Sequence, residues 1–138
     1  MKGLSFKQQI TLLYKTDIII AGHGSALTNA IFALPRSVMI ENFPPYFYEM
    51  CFANIAFISQ LHYIAVTTYD FDLVRKHDMI NPERLYYYGM FYRERRRFAN
   101  FPVYPELFSV KAAMTDAIEY VRHKRISLLN DAWSYIYY

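Results

Sequence analysis

The chain is short of several things, and each shortage excludes something. Cys51 is the only cysteine among 138 residues. A single thiol can form no intrachain disulfide, and no metal site can be built from cysteine thiolates. Standing in an apolar run, Cys51 is expected to be a small buried hydrophobe. No run of 18 apolar residues occurs, so no transmembrane helix is predicted. Met1 to Gln9 carries Lys2 and Lys7, but no apolar segment follows, so no signal peptide is expected. Charge of either sign is not concentrated enough to define a partner. The net charge is +3 and is spread along the chain, which does not point to nucleic acid. Internal repeats and low-complexity segments are lacking as well.

Apolar side chains are abundant. They make up 54% of the chain, and aromatics 19%, which argues against a disordered polypeptide. The length allows one domain at most. So many rings in so small a domain imply many half-buried rings, or a face that packs on something else.

Ser5-Phe6-Lys7-Gln8 fits the S-x-x-Q capping box, and Phe6, Ile10, Leu13 and Tyr14 follow at helical spacing. A helix is predicted over about 6–15. Asp17 precedes Ile18-Ile19-Ile20-Ala21, a short unbroken apolar run that suits a strand covered on both faces of a parallel sheet. Gly22 and Gly24 flank His23. Ser25 to Leu34 reads as an amphipathic helix with Ala26, Leu27, Ala30, Ile31 and Leu34 on one side, Ser25 as N-cap and Pro35 as its stop.

Ser37 to Ile40 reads as a second strand, with Glu41 at its carboxyl end and Asn42 to Pro45 as a loop. Tyr46 to Gln60 reads as a helix with Phe47, Met50, Cys51, Asn54, Ile55 and Ile58 on its apolar side. His62 to Thr68 alternates like a strand. The order αβαβαβ implies an α/β fold, a Rossmann-like parallel sheet with flanking helices and right-handed crossovers. Residues 70–104 form a long, mostly irregular excursion that carries Tyr86, Tyr87, Tyr88, Arg93, Arg95, Arg96 and Arg97. The tyrosines suit sugar stacking or packing, and the arginines an anionic ligand or a solvated face. A helix over about 109–124 is expected from Val110, Ala113, Met114, Ala117, Ile118 and Val121. Residues 126–138 are an aromatic tail.

Gly22-His23-Gly24-Ser25 joins a buried strand to a helix. Backbone N–H groups uncovered there, with the positive end of the helix, favour a phosphate. In open α/β sheets ligands bind at the carboxyl ends of strands, where Gly22 and Glu41 both fall. A plain turn with a solvated Glu41 fits the spacing too. The dinucleotide fingerprint G-x-G-x-x-G matches at Gly22 and Gly24 but meets Leu27 at its third glycine, and Glu41 is near the distance of its ribose acid. A nicotinamide-dependent oxidoreductase half is therefore a rival. The nucleophile elbow and the Walker A loop both fail.

His23-Gly24-Ser25-Ala26-Leu27-Thr28-Asn29-Ala30-Ile31-Phe32, then Leu34-Pro35, Val38-Met39-Ile40-Glu41 and Phe43-Pro44, resembles the signature block of glycosyltransferase family 61. Leu61 to Ala65 and Asn81-Pro82-Glu83-Arg84 look most like the branch containing protein O-mannose N-acetylglucosaminyltransferase 2. The resemblance implies a GT-B fold, of which this chain supplies the later part of the second domain. Residues 1–125 would be a partial nucleotide-sugar-binding domain, and the N-terminal domain of the same enzyme a partner. It implies inverting, generally metal-independent transfer from a UDP-sugar to a protein or glycan hydroxyl, with no cofactor, in the ER or Golgi lumen. His23, Gly24, Ser25, Thr28 and Asn29 would line the donor diphosphate, with His23 neutralising the leaving UDP. Glu41 would sit near the ribose or brace the loop. Serine at 25 replaces the family's common alanine. No general base is identified, and a non-catalytic remnant of such an enzyme is the alternative.

Overall fold

The computed structural model describes residues 3–45, 47, 49–67, 103 and 105–126. Apart from Val103, the expected excursion over 70–104 lies outside the described residues, and so does the tail beyond Ile126.

The elements are α1 (Phe6–Tyr14), β1 (Ile18–Gly22), a 3₁₀ helix (Ser25–Phe32), β2 (Val38–Phe43), α2 (Cys51–Ile58), β3 (His62–Thr67) and α3 (Leu107–Ile126). The strands form one sheet in the order β1-β2-β3, all parallel. Ile20 pairs with Ile40, and Ile40 with Ile64. The α/β architecture read from the sequence is therefore present.

α1 begins with the expected capping box. The Ser5 N–H donates to Gln8 Oε1 (2.8 Å), and the Gln8 N–H to Ser5 Oγ (3.4 Å). Its contact with the 3₁₀ helix includes an edge-to-face pair, Phe6 on Phe32, with centroids 5.7 Å apart.

β2 is the central strand, and each of its residues is buried. Met39 and Phe43 point to the face covered by the 3₁₀ helix and α2, alongside Tyr63 and Ala65. Val38 and Ile40 point to the face covered by α3, with Ile64 and Val66. Ala113 and Ala117, four residues apart on α3, present small side chains to that face and let the helix lie close on the sheet.

Four expectations are corrected. β1 is not covered on both faces. Among the described residues it pairs only with β2, and Ile20 is 46% exposed. An unbroken β-branched run carries no alternation, so it cannot distinguish an edge strand from a central one.

The segment after Gly24 is a 3₁₀ helix. It buries Leu27, Ala30 and Ala33 and exposes Ala26, Ile31 and Leu34. At three residues per turn, positions i and i+3 eclipse, so the inward stripe has period three and not 3.6.

α2 starts at Cys51, after a turn in which the Phe47 N–H donates to the Pro44 carbonyl (3.2 Å). It buries Phe52, Ala53 and Ala56, while Cys51, Asn54 and Ile58 are exposed. Its eight residues are apolar apart from Asn54, so periodicity had no contrast from which to choose a face.

Glu41, finally, lies inside β2 and not at its end. The strand continues through Asn42 and Phe43.

Two left-handed turns meet at the amino ends of β2 and β3. Pro35 and Arg36 (φ 68°) form a turn closed by the Ser37 N–H on the Leu34 carbonyl, 3.1 Å. Gln60 (φ 58°) ends α2, with its N–H on the Phe57 carbonyl (3.1 Å) and the Leu61 N–H on the Ala56 carbonyl (2.8 Å). That is a Schellman cap with glutamine where glycine is usual. The Arg36 N–H donates to the Gln60 carbonyl (2.7 Å) and ties the turns together. Gln60→Gly is expected to raise stability by about 0.5–1 kcal/mol, read from urea denaturation, since glycine adopts positive φ without the Cβ penalty. A loss of stability would show that the glutamine side chain outweighs its backbone strain.

His62 opens β3 and stacks on Tyr120 of α3, with centroids 4.2 Å apart and planes at 11°. Burial holds its pKa below the ordinary value, partly offset by the Asp116 carboxylate. The fold therefore favours neutral imidazole. Its stabilising contribution is complete above about pH 6.5 and declines as pH falls from there through the lowered folded value. His62→Phe keeps a stacking ring but cannot titrate. Between about pH 7.5 and 5.5, wild type is expected to lose stability relative to this variant. A pH-independent difference between the two would exclude His62 as the source.

Candidate functional site

β1 ends at Gly22, in register with Asn42. The His23 N–H then donates to the Asn42 carbonyl (2.8 Å), extending the pairing by one residue before the chain turns. Gly24 is extended (φ 165°, ψ 164°) and occupies the N-cap position of the 3₁₀ helix. Ser25, expected as the cap, is the helix's first residue, and no side chain caps this end. The first-turn backbone groups are left to meet solvent or an anion.

His23 is fixed from two sides. Its ring is stacked on Phe43 (centroids 5.4 Å apart) and flanked by Phe47 (4.7 Å) and Phe52 (5.0 Å). Its Nδ1 lies 2.5 Å from Glu41 Oε1. The other carboxylate oxygen, Oε2, accepts from the Tyr63 hydroxyl (2.7 Å). Glu41 is completely buried, whereas the His23 side chain keeps 12% of its surface open. With Oε2 already an acceptor, the shared proton is assigned to Nδ1. This fixes the tautomer and leaves Nε2 to accept a proton, or, once protonated, to donate to an anion.

Burial pushes the Glu41 carboxyl above its ordinary value. The bonds from Tyr63 and His23 work against that rise, and the nearby Glu49 carboxylate adds to it. Partial burial likewise pushes the Cys51 thiol up, and the Glu49 and Glu41 carboxylates add to the effect. Cys51 is exposed at the start of α2, not the buried hydrophobe expected from its apolar surroundings. It stands with Glu49 beside His23, and ligating atoms of the three lie within 4.8 Å of one another.

The structure brings some of the predicted residues together and separates others. His23 and Glu41 are in contact, and Gly24 and Ser25 follow His23 in the turn. Thr28 is exposed on the 3₁₀ helix. Asn29 turns toward α1, where its Nδ2 donates to Gln9 Oε1 (3.1 Å). Asn42 is buried on the opposite face of the sheet from Glu41. Its Nδ2 donates to the Ala21 carbonyl (3.3 Å), and its Oδ1 has no hydrogen-bond partner among the described residues.

Sequence reasoning missed Tyr63 and the three rings around His23. For Tyr63 the available signal was parity. Residues 39, 41 and 43 share one face of β2, and Met39 pairs with Tyr63, so residues 63 and 41 share that face.

Among the described residues, no helix is long and apolar enough to cross a membrane. Residues 1–40 match the family model described as Glycosyltransferase 61. The matched segment holds α1, β1, the glycine turn and the 3₁₀ helix, and it stops one residue before Glu41. No curated protein and no solved structure matches the chain.

Proposed function

We infer that this chain, whose residues 1–40 match the Glycosyltransferase 61 model, contributes the diphosphate-facing half of a UDP-sugar site. The reaction proposed is inverting transfer to a protein or glycan hydroxyl, within a GT-B enzyme of the ER or Golgi lumen. The observation that carries this reading is His23. It stands at the carboxyl end of β1, inside the matched family segment, with Nδ1 held by a fully buried carboxylate. An imidazole fixed in this way can take a proton at Nε2 and offset charge on a departing diphosphate. Gly24 and Ser25 add backbone N–H groups at an uncapped helix start. Thr28 is exposed on the same helix.

Of the two roles open to Glu41, the geometry favours bracing. Both of its oxygens accept from His23 and Tyr63, so neither is offered to a ribose hydroxyl. The same fact weighs against a dinucleotide site, whose acid must face the ribose. The base that activates the acceptor hydroxyl is assigned to the facing domain of the full enzyme.

Calorimetric titrations with UDP and with NAD test this reading. UDP is expected to bind, and His23→Ala to weaken it at least about tenfold, or 1.4 kcal/mol. Binding of NAD in place of UDP would overturn the proposal. Binding of neither would favour a non-catalytic remnant.

A further inference from the structure

His23, in the turn after β1, meets Glu49 and Cys51, a local pair separated by Met50 where the loop after β2 enters α2. In the fold their ligating atoms converge to within 4.8 Å of one another. We propose that these three side chains bind a divalent transition-metal cation of the Zn²⁺ type.

The donor set is one nitrogen, one carboxylate oxygen and one sulfur. Imidazole and thiolate select zinc-like ions over magnesium and calcium, which prefer all-oxygen sites. Zinc–ligand distances of about 2.0–2.3 Å place neighbouring tetrahedral ligands roughly 3.3–3.8 Å apart. From within 4.8 Å of one another, the three atoms therefore need to close by up to about 1.5 Å. Rotation of the Cys51 and Glu49 side chains supplies this, because neither residue is in the core.

His23 need not move. Its ring is held by Phe43, Phe47 and Phe52. Its Nδ1 is held by buried Glu41, which leaves Nε2 as the nitrogen open to a metal. A carboxylate that fixes a histidine through its second ring nitrogen is the usual outer support of a metal-bound imidazole. Here that support is in place, and it is extended by the Tyr63 hydroxyl on Glu41.

Three protein ligands leave a fourth tetrahedral position for water or another oxygen donor. Counting cysteines excludes a cage of thiolates but not this mixed site, which joins the Glu49–Cys51 pair to the distant His23.

The inference does not rest on the donor-site reading, and its test contains no nucleotide; an Nε2 that holds a metal takes no proton, and the positive charge at this point would then be the cation's own. The 138-residue chain, stripped of metal, is titrated with Zn²⁺ and, separately, with Mg²⁺ by calorimetry. Zn²⁺ is expected to bind as a single ion per chain, and Mg²⁺ not to bind. Cys51→Ser and Glu49→Gln are each expected to weaken Zn²⁺ binding by about tenfold or more, and Glu41→Gln by about ten- to a hundredfold through the imidazole. His123→Gln, an exposed change on α3, leaves it unaltered. With Co²⁺ as the probe, a thiolate charge-transfer band appears in wild type and is lost in Cys51→Ser. Circular dichroism confirms that Cys51→Ser and Glu49→Gln, both outside the core, retain the fold. Absence of Zn²⁺ binding would overturn the proposal. Undiminished binding in Cys51→Ser and Glu49→Gln, with no charge-transfer band, would overturn it as well.

Discussion

Replacing Glu41 by alanine is expected to lower the unfolding free energy by about 3–5 kcal/mol, the combined cost of a core cavity and of two donors that lose their carboxylate acceptor. The carboxylate has no exposed surface. Its two oxygens are the acceptors for His23 Nδ1 and the Tyr63 hydroxyl. Alanine leaves both donors without an acceptor among aromatic side chains and opens a cavity beside them. Tyr63→Phe removes one donor and no acceptor, so it should cost less, about 1–2 kcal/mol. Glu41→Gln falls between, because the amide can still accept one of the two bonds. Urea denaturation measures all three. A Glu41→Ala chain within about 1 kcal/mol of wild type would show that desolvating the carboxylate cancels what its bonds contribute. It would also remove the argument that Glu41 braces His23.

The second large effect is expected at Ile40, and its meaning comes from Ile20. The two isoleucines are register partners in adjacent strands, but Ile40 is completely buried while Ile20 is 46% exposed. Ile40→Ala removes side-chain atoms from between the sheet and α3 and leaves a cavity, costing about 2–5 kcal/mol. Ile20→Ala removes the same atoms from an edge strand and should cost less than about 1 kcal/mol. Equal losses at the two positions would mean that the β1 edge is covered in solution. The pair of variants thus measures how far the sheet is closed on that side.

Local features were legible where a local rule applies. Ser5 and Gln8 announced their capping box because its reciprocal bonds join residues three apart. The order of strands and helices followed from apolar runs bounded by Gly22, Pro35 and the Pro44-Pro45 pair. The parallel sheet followed from that order, since each crossover must return the chain to the same end. Bracing of the loop was one of two roles that the family resemblance implied for Glu41, but its pairing with His23 was not anticipated. Glu41 was expected at a strand end, and its partners His23 and Tyr63 lie 18 and 22 residues away along the chain.

Other features depended on surroundings that no short window contains. The stretch Ser25–Phe32 has helical composition, but whether it winds with 3.6 or three residues per turn is decided by what it packs on. With Leu27, Ala30 and Ala33 against the sheet, three won. In α2 nearly every residue is apolar, so only the neighbouring strand and the 3₁₀ helix could choose Phe52, Ala53 and Ala56 as the inner face.

The sequence alone therefore determined the class of fold, the position of the glycine turn and the resemblance to a glycosyltransferase family. These depend on residue order and local backbone preference, which act within a few positions. The tertiary structure alone decided which strand is central and which face of each helix is buried. It also decided that His23 stands between a buried carboxylate and a pair of potential metal ligands. Those outcomes depend on contacts between segments some 20 to 30 residues apart in the chain. Burial and electrostatic pairing act through space, and only the folded chain brings those groups within reach.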